Sequence, residues 1–317
     1  MARSTPDVGS QAPVLLEPFI DYLCIVADGR FVDATFGRGG HARALLQRLS
    51  ADGRLLALDR DAEAVREGQR LAAQDGRFCI RHDAFADLDA ALDAAGWDKV
   101  HGIGFDLGVS SPQLDDAARG FSFSQDGPLD MRMDSQRGQS LFERLARINE
   151  RQLADIIRRY GNERYAGRIA RAILRARDEG EMSRTTQLEN VIFHAMPKRA
   201  RFGGAHPATR TFQALRMWVN DEMTQLETGL KAAMQRLLPG GRLAVISFHS
   251  GEDRCVRDLI ESEVRPCTCP PDFPICVCGR VASMRWVQKK PLRATAVEVA
   301  ENPRSRSALL RIAERLT

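Results

Sequence analysis

The segment with the clearest chemical potential is Asp106–Gln113 (DLGVSSPQ), which directly follows a strand-like run. The exocyclic amine of a nucleic-acid base is a poor nucleophile, because its lone pair is delocalised into the ring. To attack a methyl sulfonium the amine must pyramidalise, and acceptors that hold its two hydrogens favour that change. The Ser111 hydroxyl and the carbonyl that precedes Pro112 are acceptors of this kind. A Ser-Pro pair alone is more often a simple turn, but its position at the end of a strand favours a site for amine chemistry.

A second candidate is the glycine-rich turn Phe36–Ala42 (FGRGGHA), which lies between a predicted strand and a predicted helix. Glycines let a ligand approach the backbone, and the helix N-terminus offers unpaired N–H donors. Asp59 follows about 20 residues later, where a carboxylate can accept hydrogen bonds from ribose hydroxyls. The turn also satisfies the dinucleotide fingerprint, so an NAD-dependent enzyme and a purely structural turn are alternatives. Asp33 favours S-adenosylmethionine, because a carboxylate there would repel a pyrophosphate.

Both candidates lie at the ends of strands in an alternating pattern. Strand-like runs separated by helix-length segments are expected at 30–35, 54–60, 78–82, 100–107, 242–248 and 309–316. This alternation predicts an α/β fold with a doubly wound, mostly parallel, Rossmann-like sheet, which binds ligands at the carboxyl ends of its strands. Between them, helical runs are expected at 139–160, 162–177 and 209–238. We therefore predict a core of 1–113 and 209–317, interrupted by a helical insertion at 114–208.

The composition is that of a globular protein with a sizeable core. The chain has 317 residues, of which 44% are hydrophobic, and no apolar run is long enough to cross a bilayer. The segment 1–11 is polar and lacks the features of a secretory signal, so we expect a cytoplasmic protein without a membrane partner. A net charge of +4 argues only weakly for nucleic acid. The positive charge is concentrated in the middle, with sixteen Arg or Lys against eight Asp or Glu from Glu143 to Arg216.

Along nearly its whole length the sequence resembles the bacterial ribosomal small-subunit RNA cytosine-N4 methyltransferases, the RsmH (formerly MraW) family. The matching blocks are Asp33–His41 (DATFGRGGH), Asp106–Leu114 (DLGVSSPQL), Pro128–Asp134 (PLDMRMD), His206–Arg216 (HPATRTFQALR), Ser247–Arg254 (SFHSGEDR) and Asn302–Ser307 (NPRSRS). The resemblance implies a methyltransferase sheet, S-adenosylmethionine as cofactor, and methylation of a cytidine N4 amine in 16S rRNA. Its partner would be 16S rRNA within the small ribosomal subunit, and a homodimer is left open.

The resemblance also implies which residues line the cofactor site. They are Gly39, Gly40, His41, Asp59, Phe85, Asp106 and Gln113. Phe85 would pack on the adenine, and Gln113 would lie near the methyl group that is transferred. Two positions depart from the family pattern, since Gln11 stands where histidine is usual and Gly251 where leucine is usual. Neither belongs to the cofactor set, but both put local substrate contacts in doubt.

The block Pro128–Asp134 concentrates polar groups beside Phe121 and Phe123. We hypothesise that this loop closes over a flipped cytidine, with Asp130 near the amine and a phenylalanine stacked on the base. The alternative is a solvated loop whose phenylalanines belong to the core, and composition alone favours that interpretation.

His249 follows a predicted buried strand at the same end of the sheet. A histidine in that position is more often structural, but the resemblance supports a role in orienting the base or relaying a proton. The expected catalytic residues are Asp106, Ser111, Pro112, Asp130 and His249. A methylated amine loses its proton easily, so Asp106, Asp130 or solvent could accept it.

Four arginines, Arg164, Arg168, Arg171 and Arg175, recur at helical spacing within the predicted insertion. Such stripes are usually solvated faces. Because this one belongs to an insertion beside a nucleotide site, we predict that it contacts RNA phosphates.

The seven cysteines fall into two groups. Cys24, Cys79 and Cys255 stand alone and are predicted to be buried thiols. Cys267-x-Cys269 and Cys276-x-Cys278 bracket a proline-rich segment, and four clustered thiols in a cytosolic chain indicate a metal more than disulfides. The spacing is tighter than that of a usual zinc knuckle. We therefore favour a structural loop, predict no metal, and keep zinc as the alternative.

The residues and the resemblance together predict methylation of a cytidine N4 amine in small-subunit ribosomal RNA. Three rival functions remain open from the residues alone. A DNA or protein amine methyltransferase would share the same core, and an NAD-dependent oxidoreductase would ignore S-adenosylmethionine. A non-catalytic RNA-binding assembly factor would bind RNA without turnover.

Overall fold

Short runs rich in Leu, Ile, Val and Phe form the strands of one sheet. The computed structural model describes residues 13–180, 182–202, 204, 206–270 and 277–316. The strands are β1 (Arg30–Asp33), β2 (Arg54–Leu58), β3 (Phe78–Arg81), β4 (Val100–Asp106), β5 (Leu237–Ser247), β6 (Met284–Trp286), β7 (Leu292–Arg293) and β8 (Leu309–Arg315). Their order is β3-β2-β1-β4-β5-β8-β6, with β7 also paired to β8.

The first five strands of this order are parallel, and β8 runs antiparallel to its neighbours β5, β6 and β7. The central strands are almost continuously buried, as expected for a parallel sheet covered on both faces. The predicted mostly parallel α/β sheet is therefore confirmed. Parallel register also places the carboxyl ends of β1, β2 and β4 at one edge of the sheet.

By its internal contacts the chain divides into two units, Met1–Gly108 with Thr224–Thr317, and Val109–Met223. The first unit contains the sheet. Among the described residues it also contains seven helices, apart from the first two residues of α11: α1 (Leu16–Leu23), α2 (Gly40–Arg48), α3 (Ala62–Gln74), α4 (Leu88–Ala94), α11 (Glu222–Arg236), α12 (Ser250–Val264) and α13 (Ala296–Glu301). The second unit is helical and contains α5 (Ser111–Asp115), α6 (Leu141–Leu145), α7 (Glu150–Gly161), α8 (Ala166–Asp178), α9 (Thr185–Ala195) and α10 (Thr209–Val219). The expected insertion at 114–208 lies inside the second unit, which extends beyond it at both ends.

Each unit has its own apolar core. In the first, side chains from β4 and β5 pack with residues of α4 and α11. In the second, apolar faces of α7, α8, α9 and α10 pack together, with Ile157, Ile169 and Leu215 fully buried. The amphipathic spacing of these helices is what makes such a bundle stable. Within the described residues, no helix combines the length and the apolar character that a membrane span requires.

Two segments were each predicted to form one continuous helix, and each forms two helices instead. The helix expected at 209–238 is two helices, because Asn220 ends α10 and Asp221 adopts φ 50°, a left-handed conformation that Asp tolerates. The second of them ends at Arg236, so Leu237 and Leu238, which were predicted to be helical, lie in β5. The helix expected at 139–160 is also divided, since the Asn149 side chain caps α7 by accepting a hydrogen bond from Gln152 N at 2.9 Å.

Candidate functional site

Three carboxyl groups meet at the carboxyl edge of the sheet. Asp33 ends β1, Asp106 ends β4, and Asp59 directly follows β2. Asp33 is in register with Gly104 of β4 on one side and Ala57 of β2 on the other. The neighbouring parallel strands therefore bring together residues that are far apart in the sequence.

Asp59 fixes the shape of the glycine turn. Its Oδ2 accepts a hydrogen bond from Gly37 N at 2.7 Å, and its Oδ1 accepts one from Asp61 N at 2.8 Å. Burial is the largest of several effects that together raise the pKa of Asp59 to about 6. Each carboxylate oxygen has a second lone pair, so Asp59 can order the turn and still accept a hydrogen bond from a ligand.

The turn itself leaves its backbone open on one side. Gly37 and Gly39 have φ values of 54° and 74°, which favour glycine. A Cβ on Gly39 would lie 2.6 Å from the Phe36 ring, whereas a Cβ on Gly37 would meet nothing within 4 Å. The helix α2 begins at Gly40 with its N–H groups directed toward this end. A ligand can therefore approach the Gly37 backbone closely.

Asp33 is a buried acceptor with spare capacity. Its side chain is only 2% exposed, and Oδ1 accepts a hydrogen bond from Thr35 N at 3.1 Å. Its Oδ2 has no hydrogen-bond partner among the described residues. Burial, and secondarily the charge of Asp59, raise the pKa of Asp33 to about 7. An unmade hydrogen bond in the interior is costly, so this atom is suited to a ligand that brings a donor.

Of the three carboxyl groups, Asp106 has the pKa that is raised furthest above its ordinary value. Burial, followed by the charges of Asp33 and Glu252, raises its pKa to about 8. Its Oδ1 also has no hydrogen-bond partner among the described residues, while its backbone N–H donates to Thr35 Oγ1 at 2.6 Å. Neither Thr35 nor Glu252 was singled out from the sequence. Thr35 stands in the matching block DATFGRGGH and Glu252 in the block SFHSGEDR, and those positions were the available signals.

His41 lies beside Asp106 but does not neutralise it. His41 Nε2 lies 3.1 Å from the carbonyl of Val14, which can only accept, so Nε2 carries the proton and Nδ1 a lone pair. That lone pair faces Asp106 Oδ2 at 3.5 Å. Burial lowers the pKa of His41 to about 4, so the ring is neutral at physiological pH. His41 therefore contributes no positive charge to balance the carboxyl groups of Asp33, Asp59 and Asp106.

The edge fits S-adenosylmethionine by the chemistry of its donors and acceptors. The ammonium group and ribose hydroxyls of that molecule are donors, and its sulfur carries a positive charge. Asp33, Asp59 and Asp106 are acceptors whose ionised forms a cation would stabilise. A pyrophosphate would instead add negative charge beside these carboxyl groups.

Phe85 lies four residues beyond the end of β3 and begins a short 3-10 helix, Phe85–Asp87. Its ring is partly exposed and meets the Phe105 ring edge-on, with centroids 5.9 Å apart. A Cβ on Gly229 would lie 2.7 Å from the Phe85 carbonyl, so glycine is required for α11 to pass this closely. The Phe105 ring therefore supports one side of the Phe85 ring. The packing of Phe85 on an adenine stays a prediction.

His249 has a structural role that the sequence did not predict in detail. It is the N-cap of α12, and its Nδ1 accepts a hydrogen bond from Glu252 N at 3.3 Å. Glu252 Oε2 in turn accepts from the N–H groups of Phe248 and His249 at 2.9 and 3.3 Å. A Cβ on Gly251 would lie 3.2 Å from His249 Nδ1. This capping box supports the structural alternative for His249, and the catalytic role stays a prediction.

The Ser-Pro segment belongs to the second unit, where it opens the short helix α5. Ser110 N donates to Gln113 Oε1 at 3.0 Å, which closes the first turn of that helix. Gln113 is only 7% exposed. The structure therefore gives the Gln113 side chain a capping role, and its predicted place near the transferred methyl group stays a prediction. Ser111 and Pro112 occupy the first positions of the same helix.

The loop Pro128–Asp134 is anchored at its centre by a residue that the sequence did not reveal. The Asn220 side chain donates from Nδ2 to the Met131 carbonyl at 2.7 Å and accepts from Met133 N at 2.8 Å. Met131 is fully buried and has φ 60°, an uncommon conformation for a residue with a side chain. Such strain persists only where the surroundings enforce it, and it is concentrated at functional sites.

Asp130 is held as a carboxylate by Arg132. Arg132 Nε and Nη2 donate to its two oxygens at 2.8 and 2.7 Å, and Arg132 N donates to Oδ1 at 3.0 Å. Burial acts to raise the pKa of Asp130, but the hydrogen bonds and charge of Arg132 outweigh it and bring the pKa below its ordinary value. Asp130 is therefore a weak base, suited to binding a donor rather than to removing a proton.

The two phenylalanines before the loop pack inside the second unit. Phe121 is 5% exposed. Phe123 meets the rings of His206 and Phe212, with centroids 4.7 and 4.9 Å apart. These contacts support the interpretation that both rings belong to the core, and they argue against base stacking by either one.

Positive charge is displayed on the surface of the second unit. Arg168, Arg171 and Arg175 lie on the exposed face of α8, and Arg164 precedes the helix with its guanidinium 4.7 Å from the Tyr165 ring centroid. Elsewhere in this unit a cavity of about 470 Å³ is lined by two further arginines and an aromatic ring. Its lining includes Arg144, Arg147 and Trp218. The Trp218 ring is partly buried, and the Arg144 guanidinium lies over it at 5.3 Å from the ring centroid.

The cysteines differ partly from their prediction. Cys79 is exposed on β3, so the expectation of a buried thiol was wrong there, because β3 is an edge strand of the sheet. Cys24 and Cys255 are partly buried. Cys276 and Gln11, which the sequence singled out, lie outside the described residues.

Residues 10–316 match the family described as the MraW methylase family. The chain is 47% identical over 312 residues to a ribosomal RNA small subunit methyltransferase H from Nitrosococcus oceani, covering 98% of this chain and 98% of that protein. It is 50% identical over 307 residues to the protein of the same name from Chromohalobacter salexigens, covering 96% of this chain and 91% of that protein. Among solved structures, an rRNA methylase from Streptococcus thermophilus is similar at 12% identity and a TM-score of 0.40, over 94% of this chain and 92% of that chain. The sequence relatives, and not this weak structural likeness, therefore decide the family.

Proposed function

The chain belongs to the MraW methylase family, and on that premise we propose that it transfers a methyl group from S-adenosylmethionine to the N4 amine of a cytidine in small-subunit ribosomal RNA. One observation carries the proposal. Asp33 Oδ2 and Asp106 Oδ1, two buried carboxyl oxygens without hydrogen-bond partners among the described residues, lie at the sheet edge that bears the open glycine turn. The names of the two relatives support ribosomal RNA of the small subunit as the substrate.

The residues of the first unit would hold the cofactor. Asp33 would accept from its ammonium group, Asp59 from its ribose hydroxyls, and the Gly37–Gly40 backbone would approach it closely. Phe85 would cover the adenine with its partly exposed ring. When bound, S-adenosylmethionine supplies an electrophilic methyl group on a positively charged sulfur. The three carboxyl groups would then ionise more readily, because a positive charge nearby lowers their pKa.

Asp106 is the best acceptor for the proton that the amine releases. Its pKa of about 8 lies close to physiological pH, which is where a general base works best. The lone pair of His41 Nδ1 faces Asp106 Oδ2 and can accept a hydrogen bond from the protonated carboxyl group. Asp130, whose pKa lies below its ordinary value, is a poorer proton acceptor.

The second unit would present the substrate. The Ser111 hydroxyl and the carbonyl before Pro112 would accept the two hydrogens of the cytidine amine and favour its pyramidal form. Asp130, fixed by Arg132, would be a further acceptor for the base. The exposed arginines of α8 would contact phosphates of the folded RNA. A structured subunit in the cytoplasm is the expected substrate, since folded RNA is recognised largely by shape and exposed bases.

The proposal is tested by methyl transfer from radiolabelled S-adenosylmethionine, followed by digestion to nucleosides. The substrates are small ribosomal subunits that lack the modification, naked ribosomal RNA and DNA. We expect label in N4-methylated cytidine from the subunits. Label in DNA or protein instead would identify a different amine methyltransferase. No label in any substrate, with S-adenosylmethionine still bound, would replace this proposal with an RNA-binding assembly factor.

A further inference from the structure

Three thiols cluster in the segment between α12 and β6. The Sγ atoms of Cys267, Cys269 and Cys278 all lie within 4.8 Å of one another. The first two precede the proline-rich stretch of this segment and the third follows it. The structure therefore brings thiols from both sides of the segment to one point, which their sequence spacing alone does not require.

The cluster has the dimensions of a thiolate metal site. Zinc binds cysteine sulfur at about 2.3 Å in tetrahedral geometry, which places neighbouring sulfurs about 3.8 Å apart. Separations within 4.8 Å reach that value by small side-chain rotations. We propose that Cys267, Cys269 and Cys278 bind one Zn²⁺ ion as thiolates. Zinc suits such a set because soft sulfur ligands in tetrahedral arrangement select it over hard cations.

A backbone donor fixes the position of one of the three sulfurs. Val277 N donates a hydrogen bond to Cys269 Sγ at 3.4 Å. A backbone hydrogen bond of this kind orients a sulfur ligand toward the other two. This contact is independent of the sulfur separations and favours the same conclusion.

The described residues of this segment are held by few packing contacts, so a cross-link would stabilise it. Its far end is tied to α12, where Ser283 N donates to the Glu263 carbonyl at 3.0 Å. The described residues from 265 to 282 form no helix or strand, and none of them is fully buried. Val277 and Val281 are 72% and 80% exposed. Loops without secondary structure of their own are often functional, and a bound metal ion would fix the two described parts of this one to each other.

The test uses the full-length protein, purified under reducing conditions with zinc supplied and then dialysed without chelator. We expect about one zinc ion per chain by elemental analysis. The variant Cys278→Ala should lose this zinc. The matched control Cys79→Ala, which removes a single exposed thiol on β3, should retain it. A wild-type protein that is folded, reduced and free of zinc would overturn the proposal, as would equal zinc in the Cys278→Ala variant.

Misfolding of Cys278→Ala would not end the test. Reduced wild-type protein can be titrated with Co²⁺, which replaces zinc and gives thiolate-to-metal charge-transfer absorption at a tetrahedral sulfur site. A band that saturates at about one Co²⁺ per chain and is displaced by Zn²⁺ supports the site. An absent band overturns it. A disulfide among these cysteines, found by mass spectrometry of freshly alkylated protein, would also overturn it.

Discussion

In the sheet unit Asp33 and Asp106 are held at the carboxyl edge with pKa values raised to about 7 and about 8, chiefly by burial. In the helical unit the pKa values of Asp126 and Asp130 lie below their ordinary values. Asp126 accepts hydrogen bonds from Thr186 and Arg184, and Asp130 from Arg132. The same side-chain type therefore has opposite electrostatic environments in the two units.

The difference indicates two kinds of binding surface. The sheet edge concentrates carboxyl groups whose ionisation awaits a positive charge, so it is prepared for a cationic ligand at some cost to its own stability. The helical unit pairs its loop carboxylates with its own arginines. On its surface, Arg171 of α8 pairs with Glu150 at 3.0 Å, an exposed contact that a phosphate can replace, and Arg168 and Arg175 lie on the same exposed face. A small cationic cofactor and a large polyanionic RNA need these opposite electrostatic environments.

The largest expected effect is on turnover, in the variant Asp130→Ala. We expect kcat to fall about 10²–10³-fold, because a fixed acceptor for the substrate base is lost. The affinity for S-adenosylmethionine should change by less than about threefold, since Asp130 belongs to the other unit. Single-turnover methylation and isothermal titration measure the two quantities.

The matched control for this prediction is Asp126→Ala, which also breaks an aspartate–arginine pair in the helical unit but at the surface. It should leave turnover within about threefold of wild type, as surface ion pairs contribute little. Thermal unfolding of both variants checks that they are folded. Equal losses of turnover and cofactor affinity in Asp130→Ala would refute a substrate-side role.

The next effect is on cofactor affinity, in Asp33→Asn. We expect the dissociation constant for S-adenosylmethionine to rise about 10–100-fold, because a charge-assisted hydrogen bond is lost. The same variant should unfold at a higher temperature without ligand, since asparagine removes a buried group that resists ionisation. Asp93→Asn, an exposed aspartate of α4, is the control. If Asp33→Asn bound S-adenosylmethionine as tightly as the wild-type protein does, the Asp33 carboxylate would not be a binding group for its positive charge.

The raised pKa values of Asp33 and Asp106 also predict that the affinity for S-adenosylmethionine changes about tenfold with pH. Asp33 and Asp106 have folded pKa values above the unfolded value of about 3.9, so the contribution of these two groups to the stability of the ligand-free protein is greatest at acidic pH. That stability is lost as the pH rises through about 7 and about 8. Cofactor affinity should change in the opposite direction and increase about tenfold between about pH 6 and pH 8, because the ionised carboxylates bind the cation.

Isothermal titration across this range measures the effect, and Asp106→Asn should flatten the profile. The thermal shift caused by the cofactor should grow over the same interval. An affinity that is independent of pH in the wild-type protein would show that these carboxyl groups are already ionised or do not meet the ligand.

The smallest effect concerns the arginines of α8. RNA binding should weaken steeply with salt, and the double variant Arg168→Ala/Arg171→Ala should reduce the slope of log K against log salt by about 1.5. The double variant Arg66→Ala/Arg70→Ala removes two exposed arginines from α3 of the sheet unit and should leave the slope unchanged. Filter binding at several salt concentrations is sufficient. An unchanged slope in the α8 variant would contradict phosphate contact there.

The parallel strands could be predicted from the sequence because they are short, continuous apolar runs bounded by glycine, aspartate or proline. The antiparallel strands β6 and β7 could not, since they have three and two residues and little apolar pattern. The break between α10 and α11 was also missed, because apolar spacing continues across it. A single left-handed residue, Asp221, interrupts the helix without changing that spacing.

At the candidate site, the sequence placed the residues that end strands, because strand ends share an edge in a parallel sheet. It did not reveal the clamp that Asn220 forms on Met131 and Met133, since these residues are nearly 90 positions apart. It also did not reveal that His249 and Gln113 cap helices. Capping depends on local backbone geometry, and the same residue types would fit a catalytic role equally well.

The position of β8 between β5 and β6 has a consequence for how the protein is made. Ribosomes complete β5 at Ser247, about sixty residues before they reach Leu309. During that interval the nascent chain carries a long apolar strand whose outer hydrogen-bonding groups have no neighbour. Unprotected strand edges promote aggregation. A translation product that stops before residue 309 would therefore expose this edge permanently, and it should be a substrate for chaperones and quality-control proteases.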